Sequence, residues 1–167
     1  DEFEQRGIRT CAVFILRDPV ERFLSQQRMK LRKAGQLEPE KECQRLQLAA
    51  QKLAEQGSQR SNHLETLSAL EAVFSRDDMF IGLYEQLFSE GCYRDMCQRL
   101  RIPYQQPNWN RRVNESRSTI ALPENILASI GRSQSQIYQG IEAKYPELNI
   151  SIHWPTATRW CSTRSKE

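Results

Sequence analysis

Two continuous apolar runs interrupt an otherwise polar chain and predict its sheet. They are TCAVFIL, residues 10–16, and MFIGLY, residues 79–84, and both are rich in β-branched and aromatic residues. Short runs of this kind are typical of strands that are buried on both faces. We therefore expect two parallel strands, with helical crossovers between them because parallel strands cannot be joined by a tight turn.

The remaining chain has the residue spacing of helices. Asp18-Pro19 is expected to open a helix after the first strand, because Asp caps helix N-termini and proline suits the first turn. Gly35 is expected to end this helix. Further helices are predicted over residues 39–56, 61–74, 93–101 and 123–144, the last interrupted at Gly131 and Gly140, with a helical turn at 85–89 and an irregular or short-strand tail from Asn149. More helix than strand, around buried strands, indicates an α/β fold with few parallel strands.

Length and charge narrow the class of protein. With 167 residues, a net charge of +3 and 38% hydrophobic residues, the chain is expected to form a single domain over 1–167. Basic residues are interspersed with acidic ones, so no nucleic-acid partner is expected. No apolar run approaches the roughly 20 residues that cross a bilayer, so no membrane segment is expected in this chain. A cytoplasmic location is expected, and a Golgi-lumenal or membrane-anchored protein stays open because an upstream signal would not be seen.

The five cysteines do not form a metal-binding or disulfide pattern. Their number is odd, no CxxC occurs, and no histidine pair completes a zinc site near Cys92 and Cys97. We expect reduced, structural cysteines and no metal, with a disulfide of Cys43 or Cys92 left open.

The strongest chemical signal lies where the first strand ends. Arg17 follows the strand, and Ser25 lies two turns into the next helix. Ligands of open parallel sheets bind beyond the carboxyl ends of the strands, where a guanidinium can hold a phosphate bidentately and a hydroxyl can add one hydrogen bond. The helix N-terminus would add positive potential. These residues predict a phosphate clamp; the alternative is that Arg17 pairs with Asp18 or Glu21 while Ser25 faces solvent.

The segment FILRDPVERFLSQ resembles the 3′-phosphate-binding element of sulfotransferases, which has the form R-x-P-x-x-R-x-x-S after a strand. Arg17, Pro19, Arg22 and Ser25 occupy its four fixed positions. The resemblance implies that Arg17 and Ser25 bind the 3′-phosphate of 3′-phosphoadenosine 5′-phosphosulfate (PAPS), or of the product 3′,5′-adenosine bisphosphate, while Arg22 has a structural role. It also implies a partial P-loop-like sulfotransferase fold and sulfuryl transfer to a hydroxyl or amine acceptor, with a carbohydrate or small molecule favoured.

Later segments extend the resemblance to about residues 10–146. Tyr84, Glu85 and Leu87 match a Tyr-Glu-x-Leu sequence that follows a strand in the family. A late basic loop of the family closes over the donor nucleotide, and the polar loop before the last helices is similar to it. By this resemblance the loop supplies four more cofactor-binding candidates, Arg111, Arg112, Asn114 and Ser116.

Two parts of the family pattern are missing from the sequence. The seven glycines never cluster into a loop that could hold the 5′-phosphosulfate, and the segment that usually carries the catalytic base is not present. The chain is therefore expected to be the C-terminal part of a sulfotransferase, carrying the 3′-phosphate half and inactive without upstream residues. His63 is the remaining candidate for the catalytic base. Residues 36–60 are expected to form a helical insert.

Two other functions stay open. A narrow apolar stripe that includes Leu46 and Leu53, in the Gln-rich segment 40–56, favours a non-catalytic helical interaction domain. A different P-loop transferase, such as a kinase, is the third reading, and the absence of a Walker-like loop counts against it.

Overall fold

The computed structural model describes residues 2–35, 38–56, 62–110, 123–154 and 156–157. Two strands, β1 (Ala12–Leu16) and β2 (Met79–Leu83), are joined in one sheet. The α-helices of the described residues are α1 (Glu2–Gln5), α2 (Pro19–Lys33), α3 (Pro39–Gln56), α4 (His63–Glu71), α5 (Tyr84–Leu87), α6 (Glu90–Leu100), α7 (Glu124–Ser133), α8 (Ser135–Lys144) and α9 (Ile150–His153). The structure therefore has the general α/β character expected of the sequence.

The chain divides into two compact units. The first contains Asp1–Arg17 and Leu64–Arg111, and the second contains Asp18–His63 and Arg112–Glu167. The expectation of a single domain over 1–167 stays a prediction.

The first unit is built around the parallel sheet. Ala12 pairs with Met79 and Leu16 pairs with Leu83, so the two strands end side by side. The strand β2 is mostly buried and packs against α5 and α6, which follow it directly. Gly82 leaves room for the Phe80 ring, because a Cβ at this position would lie 2.8 Å from that ring and the ring would have to shift. The predicted parallel pairing is thus confirmed, but the expectation that both strands are buried on both faces is wrong for β1, where Val13 is 46% exposed.

The second unit is helical, with α3 packed mainly on α7 and also on α2. The buried face of α3 consists of Glu42, Leu46, Ala50 and Leu53, which follow one another at helical spacing. The apolar stripe predicted for residues 40–56 therefore packs inside this unit. Ile130, Ile141 and Trp154 are also completely or almost completely buried, and they complete the core together with Leu24 and Leu31 of α2.

The local signals at both ends of α2 are confirmed. Asp18 is the N-cap, Pro19 is the first helical residue, and Gly35 has the positive φ of 66° that glycine tolerates after a helix. The helix predicted over 39–56 is α3, and the short turn after β2 is α5.

Several predicted boundaries are wrong. The last helical region is not interrupted at Gly131 or Gly140, which lie inside α7 and α8. It breaks at Gln134, where the Ser133 hydroxyl donates to the Ile130 carbonyl and the Gln134 amide donates to the Gly131 carbonyl. A serine hydroxyl that bonds to its own helix competes with the regular backbone pattern, so a polar residue rather than a glycine ends α7.

Three further elements differ from the prediction. The helix predicted over 93–101 begins three residues earlier, at Glu90, because the Ser89 hydroxyl caps it by accepting from the Cys92 amide. The tail predicted to be irregular or a strand forms the single turn α9, which follows Asn149 in the left-handed region and buries Ile150. The helix predicted over 61–74 ends at Glu71.

A buried ion pair joins α2 to α3 in the second unit. The Arg28 Nε lies 2.6 Å from the Glu42 Oε1, and the two side chains are 17% and 0% exposed. We expect Arg28→Met to lower the free energy of unfolding by about 3 kcal/mol, because it leaves a carboxylate buried without this partner. The control Lys41→Met removes an exposed pair with Glu38 and should cost less than about 1 kcal/mol. Urea denaturation measures both, and equal effects would contradict the assignment.

Asp78 makes the stability of the first unit depend on pH in the acidic range. The Ser75 hydroxyl and the Arg9 guanidinium lower the pKa of Asp78 below its ordinary value of 3.8. Because folding depresses this pKa, the stabilisation is complete above the unfolded value and is lost as the pH falls through the folded value. From about pH 6 to pH 2, the melting temperature should therefore fall further in the wild type than in Asp78→Asn. The melting temperature of Asp77→Asn should fall with pH as that of the wild type does. Parallel curves for all three proteins would rule out the role of Asp78 in the acid dependence.

Candidate functional site

The residues that follow the two strands form a contact between a cation and an aromatic ring. Arg17 follows β1 and Tyr84 follows β2, directly after the paired residues Leu16 and Leu83. The Arg17 Cζ lies 4.9 Å from the centroid of the Tyr84 ring, a cation–π contact. This arrangement places the predicted phosphate-binding arginine at the carboxyl edge of the parallel sheet, where open α/β folds bind their ligands.

Tyr84 is itself held by a second ring. Tyr84 and Phe88 make an edge-to-face contact with their centroids 5.3 Å apart, and both residues lie largely on the surface. The Arg17 guanidinium, which has five N–H donors in its plane, thus lies over the ring of a tyrosine that contacts a second ring.

The other half of the predicted clamp lies on α2 in the second unit. Ser25 is half-buried and follows Asp18 by seven residues, so it lies on nearly the same side of the helix as the residue that caps it. Arg22, one turn before Ser25, is also half-buried. Each side chain has a defined place within its own unit, and the convergence of Arg17 and Ser25 on one anion stays a prediction.

The backbone amides in the first turn of α2 already donate hydrogen bonds to Asp18. Pro19 has no N–H, the amides of Val20 and Glu21 donate to the Asp18 Oδ1 at 2.9 and 3.3 Å, and the Arg22 amide donates to the Asp18 carbonyl at 2.8 Å. A helix N-terminus binds anions through such amides when they are open. Because these amides are engaged here, they are not open donors for an anion, and the contribution of the positive potential of the helix end stays a prediction.

Asp18 also receives two hydroxyl groups from distant parts of the second unit. The Tyr138 hydroxyl of α8 donates to Oδ1 at 2.7 Å, and the Thr156 hydroxyl donates to Oδ2. The oxygens of Tyr138 and Thr156 are 2.9 Å apart, and the Tyr138 ring packs edge-to-face on Trp154. Asp18, Tyr138 and Thr156 are called the Asp18 network below.

Two members of the Asp18 network, Asp18 and Tyr138, are buried, and Thr156 is part-buried. Asp18 is 1% exposed and Tyr138 is 0% exposed. Burial first, and the negative charge of Asp18 second, raise the pKa of Tyr138. The raised pKa favours the protonated phenol, which donates to the Asp18 carboxylate.

Sequence reasoning did not find this network. Asp18 was recognised as a cap from its position before Pro19, but Tyr138 and Thr156 are 120 and 138 residues away from it. The available signal was a tyrosine in an apolar helix stripe, since a buried phenol hydroxyl normally requires a partner. Nothing in the sequence indicates which partner this is.

The remaining predicted site residues have different outcomes. Arg111, Arg112, Asn114 and Ser116 lie outside the described residues. His63, the candidate base, begins α4 and is only 1% exposed, although a general base must reach the acceptor hydroxyl. Its role in catalysis stays a prediction. In the part of the chain that the structure covers, no group of three or more His, Cys, Asp and Glu side chains is arranged to hold a metal ion.

The chain matches no known family model, no characterised protein and no solved structure in the comparisons made with it. Among the described helices, none is both long and apolar enough to cross a bilayer.

The Asp18 carboxylate should contribute more to stability than an exposed helix cap. We expect Asp18→Ala to lower the free energy of unfolding by about 3 kcal/mol, because it removes the cap and the carboxylate that accepts from the buried Tyr138 hydroxyl and the part-buried Thr156 hydroxyl. Ser89→Ala removes the exposed cap of α6 and should cost about 0.5 kcal/mol. Chemical denaturation compares the two variants, and a loss for Asp18→Ala no larger than that for Ser89→Ala would contradict the buried network.

Proposed function

We propose that this chain is part of a PAPS-dependent sulfotransferase and that it carries the half of the donor site that binds the 3′-phosphate. The observation that supports the proposal best is the place of Arg17, which ends a parallel strand and stacks on Tyr84 from the neighbouring strand. The sequence pattern R-x-P-x-x-R-x-x-S adds Ser25 as its partner. That the α/β structure is specifically a sulfotransferase fold is part of the same proposal.

The chemistry of the clamp follows from the geometry of arginine. A guanidinium presents paired N–H donors that match two oxygens of a phosphate, and these bonds are charge-assisted. The stack on Tyr84 limits the rotation of Arg17, so less conformational entropy is lost when an anion binds. Because the amides at the start of α2 are engaged by Asp18, this helix would contribute a side chain, and the sequence pattern assigns that role to the Ser25 hydroxyl.

In the proposed reaction the sulfuryl group moves in line from donor to acceptor. The acceptor oxygen or nitrogen forms a bond to sulfur as the bond from sulfur to the bridging phosphate oxygen breaks. A base takes the acceptor proton, and the leaving group departs as 3′,5′-adenosine bisphosphate. Holding the 3′-phosphate contributes by positioning, because much of the catalysis in group transfer comes from fixing the reacting atoms in line. Residues beyond those of this donor half are required for the transfer itself.

The alternative of a helical interaction domain has no specific support among the described residues. Its motivating stripe includes Leu46 and Leu53, and both are buried within the second unit. Leu48 is exposed on α3, but single exposed apolar residues are common on protein surfaces.

Binding of 3′,5′-adenosine bisphosphate tests the proposal. We expect Arg17→Ala to weaken binding about a hundredfold and Ser25→Ala about tenfold, as expected for losing a charge-assisted pair and one hydrogen bond to a charged group. Arg17→Lys should recover only part of the loss, because an ammonium neither forks around the phosphate nor stacks equally well. Isothermal titration calorimetry gives the dissociation constants.

Matched controls separate site effects from the loss of a surface charge or hydroxyl. Arg32 is exposed in the last turn of α2, and Ser68 is exposed on α4. Arg32→Ala and Ser68→Ala should bind the bisphosphate as the wild type does. Unchanged binding in both Arg17→Ala and Ser25→Ala would refute the proposed site, as would the absence of binding by the wild-type chain.

A further inference from the structure

Tyr138 and Thr156 have no part in the sequence pattern that predicts the phosphate site, yet they donate hydrogen bonds to Asp18, a residue inside that pattern. Asp18 lies between Arg17 and Pro19, inside the R-x-P segment. Its two carboxylate oxygens accept from Tyr138 and Thr156, while the same carboxylate caps α2. The network therefore fixes the start of the helix that carries Ser25.

We infer that Tyr138 and Thr156 are positioning residues for the 3′-phosphate site. This inference rests on the proposed function and assigns to it two residues that act through Asp18, without touching the ligand. Asp18 is a rigid link because its oxygens are held from three sides: by the helix amides, by a phenol on α8 and by a hydroxyl after α9. Without the Tyr138 or the Thr156 hydroxyl, the Asp18 carboxylate can rotate, and the first turn of α2 shifts with it.

The position of Ser25 makes it sensitive to this link. Seven residues separate it from Asp18, a distance of about 10 Å along a helix axis. A small tilt at the first turn therefore displaces the hydroxyl of Ser25, the seventh residue of α2. Hydrogen bonds need an accurate donor–acceptor distance, so a displacement of about 1 Å is enough to lose the bond to a phosphate.

The network is also distinct from ordinary core packing. Its three members are polar, and their hydrogen bonds account for both carboxylate oxygens of a residue that is 1% exposed. An apolar side chain of similar size would fill the same space without directing the helix. Substitutions that keep volume but remove a hydroxyl therefore separate positioning from packing.

The test measures 3′,5′-adenosine bisphosphate binding by Tyr138→Phe, Thr156→Val and Thr156→Ser, with Tyr145→Phe as the control. Tyr145 is another buried tyrosine of the second unit, and its hydroxyl is not a donor to Asp18. Calorimetry is done at a temperature at which circular dichroism shows each variant to be folded. Phosphorus NMR of the bound ligand reports the 3′- and 5′-phosphates separately.

We expect Tyr138→Phe and Thr156→Val to weaken binding about tenfold, the effect of one hydrogen bond to a charged group. The 3′-phosphorus resonance of the remaining complex should move toward its free position while the 5′ resonance stays in place. Thr156→Ser, which keeps the hydroxyl, and Tyr145→Phe should both bind as the wild type does. If Tyr138→Phe does not fold, the Thr156→Val and Thr156→Ser pair decides the question.

The outcomes distinguish this inference from the proposed function. If the wild type binds the bisphosphate and Arg17→Ala abolishes binding, but Thr156→Val and any folded Tyr138→Phe bind normally, the positioning role is overturned and the site survives. Equal weakening by Tyr145→Phe, or equal movement of both phosphorus resonances, also overturns it. A wild-type chain that does not bind the ligand overturns both proposals.

Discussion

The buried carboxylate of Asp18 is the constraint on which the arrangement of the second unit depends. A carboxylate removed from water is costly unless its oxygens accept hydrogen bonds, so its position is fixed by the groups that can donate to it. Here the donors come from the first turn of α2, from α8 and from the residues after α9. One side chain thus ties the start of one helix to the far end of the chain. It also uses the amides that would otherwise be open to an anion.

The same chain position marks the change from sheet to helix. The last paired residue of β1 is followed by Arg17, and the next residue caps α2. Such a short strand-to-helix connection gives both residues a narrow range of backbone conformations, because a strand end and a helix cap are fixed on either side. Arg17 is further restrained by its stack on Tyr84, so the proposed ligand meets a donor group that is already ordered. The functional proposal depends on this connection because its residues are held in place before a ligand binds.

Sequence reasoning worked where the determinants are local. The pairing of Asp18 with Pro19, the glycine after α2 and the two apolar runs each act within a few residues, and the structure has the predicted cap, stop and parallel strands. It failed where a competing contact decides the outcome, as at Gln134, where a serine hydroxyl ends α7. The Asp18 network was out of reach because hydrogen-bond partners that are more than a hundred residues apart leave no periodic signal.

The most direct measurement of the central claim is a crystal structure of the chain bound to 3′,5′-adenosine bisphosphate. The proposed function predicts the 3′-phosphate beyond the end of β1, within hydrogen-bond distance of both the Arg17 guanidinium and the Ser25 hydroxyl, with Arg17 still on the face of Tyr84. A ligand that binds elsewhere on the chain, or a 3′-phosphate that is held without either of these two groups, would contradict it.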